Sequence, residues 1–151
     1  MTDKVTKGGL ALLGLVGLQI GVWASLAPRS FYDDFPGGGR TWVAADGPYN
    51  EHLVRDFGAL NLALTAVVAV ALVTGAPAAV RAAALGWLVY SVPHLVYHAR
   101  HLDVYGTSDK ILTLAGVGGA VLVSAVVLVA GLGGPADSSR PPGGAGHDHC
   151  L

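Results

Sequence analysis

Hydrophobic positions along the chain gather into four long runs, Gly8 to Ala27, Ala59 to Ala76, Ala82 to Val96 and Ile111 to Leu132, separated by shorter polar stretches. Each run approaches or exceeds the roughly 20 residues that a helix needs to cross a bilayer. A soluble core helix of that length carries a polar stripe from end to end, whereas these runs are nearly free of charge through their middles. The pattern predicts an all-α integral membrane four-helix bundle over residues 1–133, with spans at about 8–27, 51–74, 80–101 and 109–132. The first run also resembles a secretory signal peptide, because Lys4 and Lys7 precede it and it ends in Ala24-Ser25-Leu26-Ala27. Its length and the small-residue stripe Gly14, Gly17, Gly21 and Ser25, of the kind that packs transmembrane helices, favour its retention as the first helix.

The connections differ in character. Residues 28–50 are rich in Gly, Pro, Asp and aromatics, among them Phe31, Tyr32, Phe35, Trp42 and Tyr49, and predict a 20-odd-residue loop that is re-entrant or lies on the membrane surface. Thr74 to Arg81 is a short Gly/Pro hairpin, and Thr107-Ser108-Asp109 is suited to cap the last helix. Residues 134–151, rich in Gly, Pro and Ser, predict a disordered tail. The last helix carries Ala115-Gly116 and Gly119-Ala120, a small-residue row continued by Ser124, which predicts a close contact with the first helix or an oligomer interface.

Composition supports the membrane reading: of 151 residues, 52% are hydrophobic and only 13% charged. A net charge of −1 with no Lys/Arg cluster excludes a nucleic-acid partner, leaving the lipid bilayer, a membrane protein or a second copy of the chain. Cys150 is the sole cysteine and cannot form an internal disulfide. Lys4 and Lys7 decide the orientation by the positive-inside rule, placing both termini of a multi-pass cell-membrane protein in the cytoplasm.

With four spans, the start of the second helix and the end of the third lie at one membrane face. The second opens with Asn50-Glu51-His52-Leu53-Val54-Arg55-Asp56, in which Asn50 is a suitable N-cap and Glu51 favours the positive helix end. The third closes with His94, His98 and His101, which fall within about 60° of arc, and Trp87, Tyr90 and Ser91 extend that stripe inward. On the second helix, Glu51, His52, Arg55 and Asp56 with Gly58, Ala59 and Ala63 are expected to face the bundle interior, allowing close approach of the two polar ends.

Three readings follow. Imidazoles at i, i+4 and i+7 suit a metal or redox site made of His94, His98 and His101 with His52, Glu51 or Asp56. Mixed histidine and carboxylate ligands suit Zn or Fe, an all-imidazole set Cu, and haem needs only one axial histidine. Alternatively, Glu51, Asp56 or His94 performs acid–base catalysis on a lipid-soluble substrate. In the third reading the histidines are solvated or hydrogen-bonded in place, Glu51 and Arg55 form a simple helical ion pair, and the chain is a non-catalytic membrane subunit or scaffold. The tail tract His147-Asp148-His149-Cys150 has the composition of a weak soft-metal site. Neither a nucleophile elbow, a His-Glu-x-x-His box, a P-loop nor a dinucleotide fingerprint occurs.

The motifs Phe31-Tyr32-Asp33-Asp34-Phe35-Pro36-Gly37, Glu51-His52-Leu53-Val54-Arg55-Asp56-Phe57-Gly58 and the His94 to His101 run, set in this span pattern, resemble small four-helix actinobacterial membrane proteins of the DoxX-like superfamily. The resemblance covers about residues 8–133 and implies a helical bundle near redox or quinone chemistry, with no functional residue carried over.

Overall fold

The structure, a computed structural model, describes residues 2–132. Four long helices dominate: α1 (Thr2–Leu26), α4 (Glu51–Thr74), α5 (Pro77–Arg100) and α6 (Thr107–Leu132). Each is long and apolar enough to cross a membrane. Their outward faces carry large hydrophobic side chains, with Val89 74% and Val129 69% exposed, the opposite of the polar exterior that a bundle needs in water. The expected tail and its His147-Asp148-His149-Cys150 tract lie outside the described residues.

The helix ends follow local chemistry. The Asn50 side chain accepts a hydrogen bond from the Leu53 amide at 3.1 Å, satisfying one of the orphan donors at the start of α4. Gly75 closes α4 with φ 61°, a left-handed conformation that glycine adopts without a Cβ clash. Pro77 then begins α5, where its missing N–H leaves no intrahelical bond unmade.

The helices form a closed antiparallel ring in the order α1, α4, α5, α6, built from two extensive pairs, α1 with α4 and α5 with α6. The α1/α4 crossing explains the small residues of α1. A Cβ added at Gly17 would lie 2.6 Å from Thr65 Oγ1 and 2.9 Å from the Trp87 ring, and one at Gly58 would lie 2.7 Å from the Ser25 nitrogen. Close backbone approach therefore requires glycine on both helices. The row on α6 does not make the expected close contact with α1: Cβ atoms at Gly116, Gly118 and Gly119 would meet nothing within 4 Å. Contact between α1 and α6 is made instead at the other end of the bundle, where Gly9 faces Val123 and Val127.

Residues 28–49 are not the surface loop that their composition suggests. They fold into a small cap: α2 (Pro28–Asp34), a two-stranded antiparallel hairpin of β1 (Pro36–Gly37) and β2 (Arg40–Thr41), and α3 (Trp42–Asp46). Gly38 and Gly39 make the tight hairpin turn with φ 64° and 77°, values that an L side chain rarely adopts. The physical reason for the difference is that the aromatic rings have a protein surface to cover. Phe31 is 2% exposed and packs on Trp23, Phe35 and Phe57, with ring centroids 5.7, 4.7 and 5.8 Å away. These rings form one apolar core with Ala24 and Val54 beneath the cap. A second core, around Leu10, Leu13, Val68, Ala84, Trp87 and Val127, fills the opposite half of the bundle.

Candidate functional site

Between the two cores the bundle is not filled. A cavity of about 410 Å³ occupies the capped half, within the roughly 300–1,000 Å³ range of small-molecule pockets. Its roof is Phe31, Phe35, Trp42 and Val43 of the cap, and its floor includes Trp87 and Asn61. Val16 and Ile20 of α1, Phe57 of α4, Tyr90 and His94 of α5 and Val117 of α6 complete the largely apolar wall.

Polar atoms punctuate that wall in an uneconomical way. The Asn61 carbonyl oxygen, the Trp87 indole nitrogen, the Ser91 and Thr113 hydroxyls and His98 Nδ1 are buried without a hydrogen-bond partner in the protein. All five residues line the chamber, and none is more than 8% exposed. An unsatisfied buried polar group costs about 1–3 kcal/mol, so five around one chamber is a concentration that general packing does not explain. Away from the chamber, Ser25 Oγ is also buried without a partner, but several other polar groups in the long helices do find one. Thr65 and Ser124 donate to backbone carbonyls four residues earlier at 2.8 and 2.7 Å, and Asn61 donates its amide to the Phe57 carbonyl at 2.9 Å.

The α5 stripe expected from the helical period is present. Trp87 and Ser91 are buried, and the rings of Tyr90 and His94 stack with centroids 5.5 Å apart. His94 and His98 meet edge to face at 4.6 Å. His101 separates from them: it is exposed, stacks on Tyr97 at 4.2 Å, and places Nδ1 2.8 Å from the Tyr97 carbonyl oxygen.

The α4 residues expected beside the histidines turn away. Val54, Gly58 and Asn61 face inward, while Glu51, His52 and Asp56 are exposed. Glu51 pairs with Arg55 at 2.8 Å, His52 lies 3.3 Å from Asp56, and Arg55 also donates to the Ser25 carbonyl. At a helix end these polar side chains reach water without entering the bundle, so their shared arc does not indicate an interior face. Among the described residues, no group of three or more His, Cys, Asp or Glu side chains is arranged to hold a metal ion.

The carboxylate facing the histidines comes from the cap. Asp46, at the end of α3, lies 3.9 Å from His98 Nδ1 and lines the chamber. The cap is tied to α6 by Asp109, whose Oδ1 accepts from Arg40 Nε at 2.7 Å and from Trp42 Nε1 at 3.0 Å. The Tyr105 hydroxyl donates to the Trp42 carbonyl at 3.3 Å, and the Tyr32 hydroxyl to the Gly47 carbonyl at 2.6 Å. Burial first, and then the negative charge of Asp46, pushes the Tyr105 hydroxyl above the ordinary tyrosine range.

Asp46, Tyr105, Asn61 and Thr113 are the site residues that the sequence reading missed. Asn61 and Thr113 each interrupt a long apolar run, the signal by which they were detectable. No signal in the spacing of Asp46 or Tyr105 points to the site. No protein-family model, curated protein or solved structure matches the chain.

Proposed function

We propose that this chain is a multi-pass membrane protein that binds a small lipid-soluble molecule in the capped chamber, with His94 and His98 available for acid–base chemistry on it. One observation carries the reading: an apolar cavity whose wall holds five buried, unpartnered polar groups supplied by three different helices. Such a site matches a ligand that is mostly hydrocarbon and carries a few hydrogen-bonding atoms. The polar groups gain partners on binding, so that ligand and protein satisfy each other. Four helices with apolar outward faces give the chain a bilayer as its solvent, and the bilayer is where such a ligand dissolves.

A metal or redox site is the second reading, favoured by the contact between the His94 and His98 rings. It draws its carboxylate from Asp46 rather than Glu51 or Asp56, because Asp46 is the carboxylate that faces His98 among the described residues.

Both readings are tested on protein purified in mild detergent, beside a Ser91→Leu/Thr113→Val variant that replaces two of the orphan hydroxyls with apolar groups. Mass spectrometry of the intact complex and of its solvent extract is expected to find a neutral organic molecule on the wild type and a strongly reduced amount on the variant. Metal analysis of the same samples, repeated on His94→Ala/His98→Ala, decides the second reading. Protein that retains neither organic molecule nor metal, and that no added apolar compound stabilises, would point to a scaffold role and sink both proposals.

A further inference from the structure

The chamber has two flanks, and they differ. Between α4 and α5 the gap is crossed by aromatic rings, Phe57 lying 6.2 Å from the His94 ring and 6.3 Å from that of Tyr90, with the exposed Leu53 at its margin. Between α1 and α6 no ring intervenes. There the wall is Val16 and Ile20 on one helix and Gly116, Val117 and Ala120 on the other. Gly116 is exposed while lining the chamber, Val16 is 38% exposed, and the side-chain position of Gly116 opens onto free space. The two helices touch at Gly9 and Val127 in the opposite half, so the gap lies in the capped half, at the level of the chamber.

The polar groups also restrict the ligand's head. Among the described residues no lysine or arginine lines the chamber, and its one carboxylate is Asp46, under the cap. The histidines lie toward the cap, where His98 already faces Asp46, so a carboxylate or phosphate head among Trp87, Ser91, Asn61 and Thr113 would be desolvated with no permanent counter-charge, which is costly in an apolar site. The Trp87 N–H and the Ser91 and Thr113 hydroxyls donate, and the Asn61 carbonyl accepts, which matches a neutral carbonyl or hydroxyl group.

We infer that the α1/α6 cleft at Gly116 is a lateral portal and that the ligand is a neutral, single-tailed amphiphile. Its carbonyl or hydroxyl head sits among Trp87, Ser91, Asn61 and Thr113, and its hydrocarbon tail leaves past Val16 and Gly116 into the bilayer. This rests on the chamber being a ligand site and adds the ligand's class and its route. Backbone polar groups at the cleft are satisfied within the helices, so a lipid-facing opening there exposes only apolar surface.

The probe is a long-chain primary alcohol with a diazirine midway along its tail, photolysed with the full-length protein in phosphatidylcholine vesicles and mapped by peptide mass spectrometry. Saturable labelling is expected on residues 16–20 and 116–120. Excess unlabelled alcohol is expected to displace it, and the matching long-chain carboxylate to displace it much less at neutral pH. Gly116→Trp, whose side chain enters open space and plugs the cleft, is expected to abolish saturable labelling. Gly118→Trp, also in open space but not lining the chamber, is expected to keep it, and matched melting curves establish that both variants are folded. Saturable labelling that survives Gly116→Trp, or that maps to Leu53 and Phe57, overturns the portal and leaves the chamber standing. Equal competition by the carboxylate overturns the neutral-head assignment. Labelling that never saturates in the wild type overturns the chamber itself.

Discussion

Substituting Gly58 by alanine tests whether the α1/α4 crossing sets the shape of the bundle. The new Cβ would lie 2.5 Å from Ser25 Oγ, 2.7 Å from the Ser25 backbone nitrogen and 3.0 Å from the Gly21 carbonyl oxygen. Restoring ordinary van der Waals contact against that nitrogen means parting the two helices by roughly 0.7 Å, an overpacking that typically costs about 1–3 kcal/mol. Higher helix propensity returns about 0.5–1 kcal/mol, so the net expectation is a loss of up to about 2.5 kcal/mol, and of about 1–3 kcal/mol relative to an alanine placed in open space on a neighbouring helix. Ser25→Ala in the same chain is expected not to rescue it, because two of the three clashes are with backbone. Gly119→Ala is the control: with open space around its Cβ it is expected to be neutral or slightly stabilising. Unfolding of purified protein in mixed mild-detergent and dodecyl sulfate micelles, followed by far-UV circular dichroism, measures all three variants against wild type. Gly58→Ala as stable as Gly119→Ala would refute the close crossing.

Three further outcomes are expected. Asp109→Ala removes the acceptor shared by Arg40 and Trp42 and should loosen the cap, read as faster tryptic cleavage after Arg40. Because Tyr105 has a raised pKa in the folded chain, its contribution is fully present below about pH 10, where an unfolded tyrosine begins to ionise, and is lost as pH rises further. Alkaline titration of stability should therefore fall less steeply in Tyr105→Phe than in wild type, and equal slopes would count against the burial of that hydroxyl. Glu51→Gln should cost only about 0.3–0.5 kcal/mol, the worth of an exposed i, i+4 pair, and should leave ligand retention unchanged.

The long helices were legible because the runs that build them answer to one requirement, an apolar surface long enough for a bilayer, and that requirement is written residue by residue. Helix α4 spans the expected 51–74, with its cap at Asn50, because cap chemistry is local as well. The interior stripe of α5 was legible for a related reason: Trp87, Ser91, His94 and His98 lie mid-helix or run continuously from it, where polarity on one arc of an otherwise apolar helix marks the bundle interior. Periodicity failed at the start of α4. There the helix emerges from the apolar zone, and Glu51, His52 and Asp56 can point outward at little cost, so the wheel alone does not choose between interior and solvent. Small residues misled in a different manner. The rows on α1 and α6 look alike in sequence, and only the partner surface decides that Gly17 and Gly21 are pressed against α4 while Gly116 and Gly119 face open space.

The cap is where local reading had least purchase, and it changes the site most. Its aromatic residues have interfacial composition, yet Phe31, Phe35 and Trp42 turn onto the bundle and roof the chamber. Asp46 faces His98 only because α3 is held down by contacts reaching far along the chain, from Arg40 and Trp42 to Asp109 and from Tyr105 to Trp42. A carboxylate delivered by a separate folding element differs from one on a long helix: its place beside His98 depends on the contacts that hold the cap. The pairing of Asp46 with His98 and the closure of the chamber's roof are then one event, since both depend on the same anchors at Asp109 and Tyr105. Loosening those anchors should open the chamber to water and remove the charge beside His98 together, whereas changes at Glu51 or Asp56 should do neither.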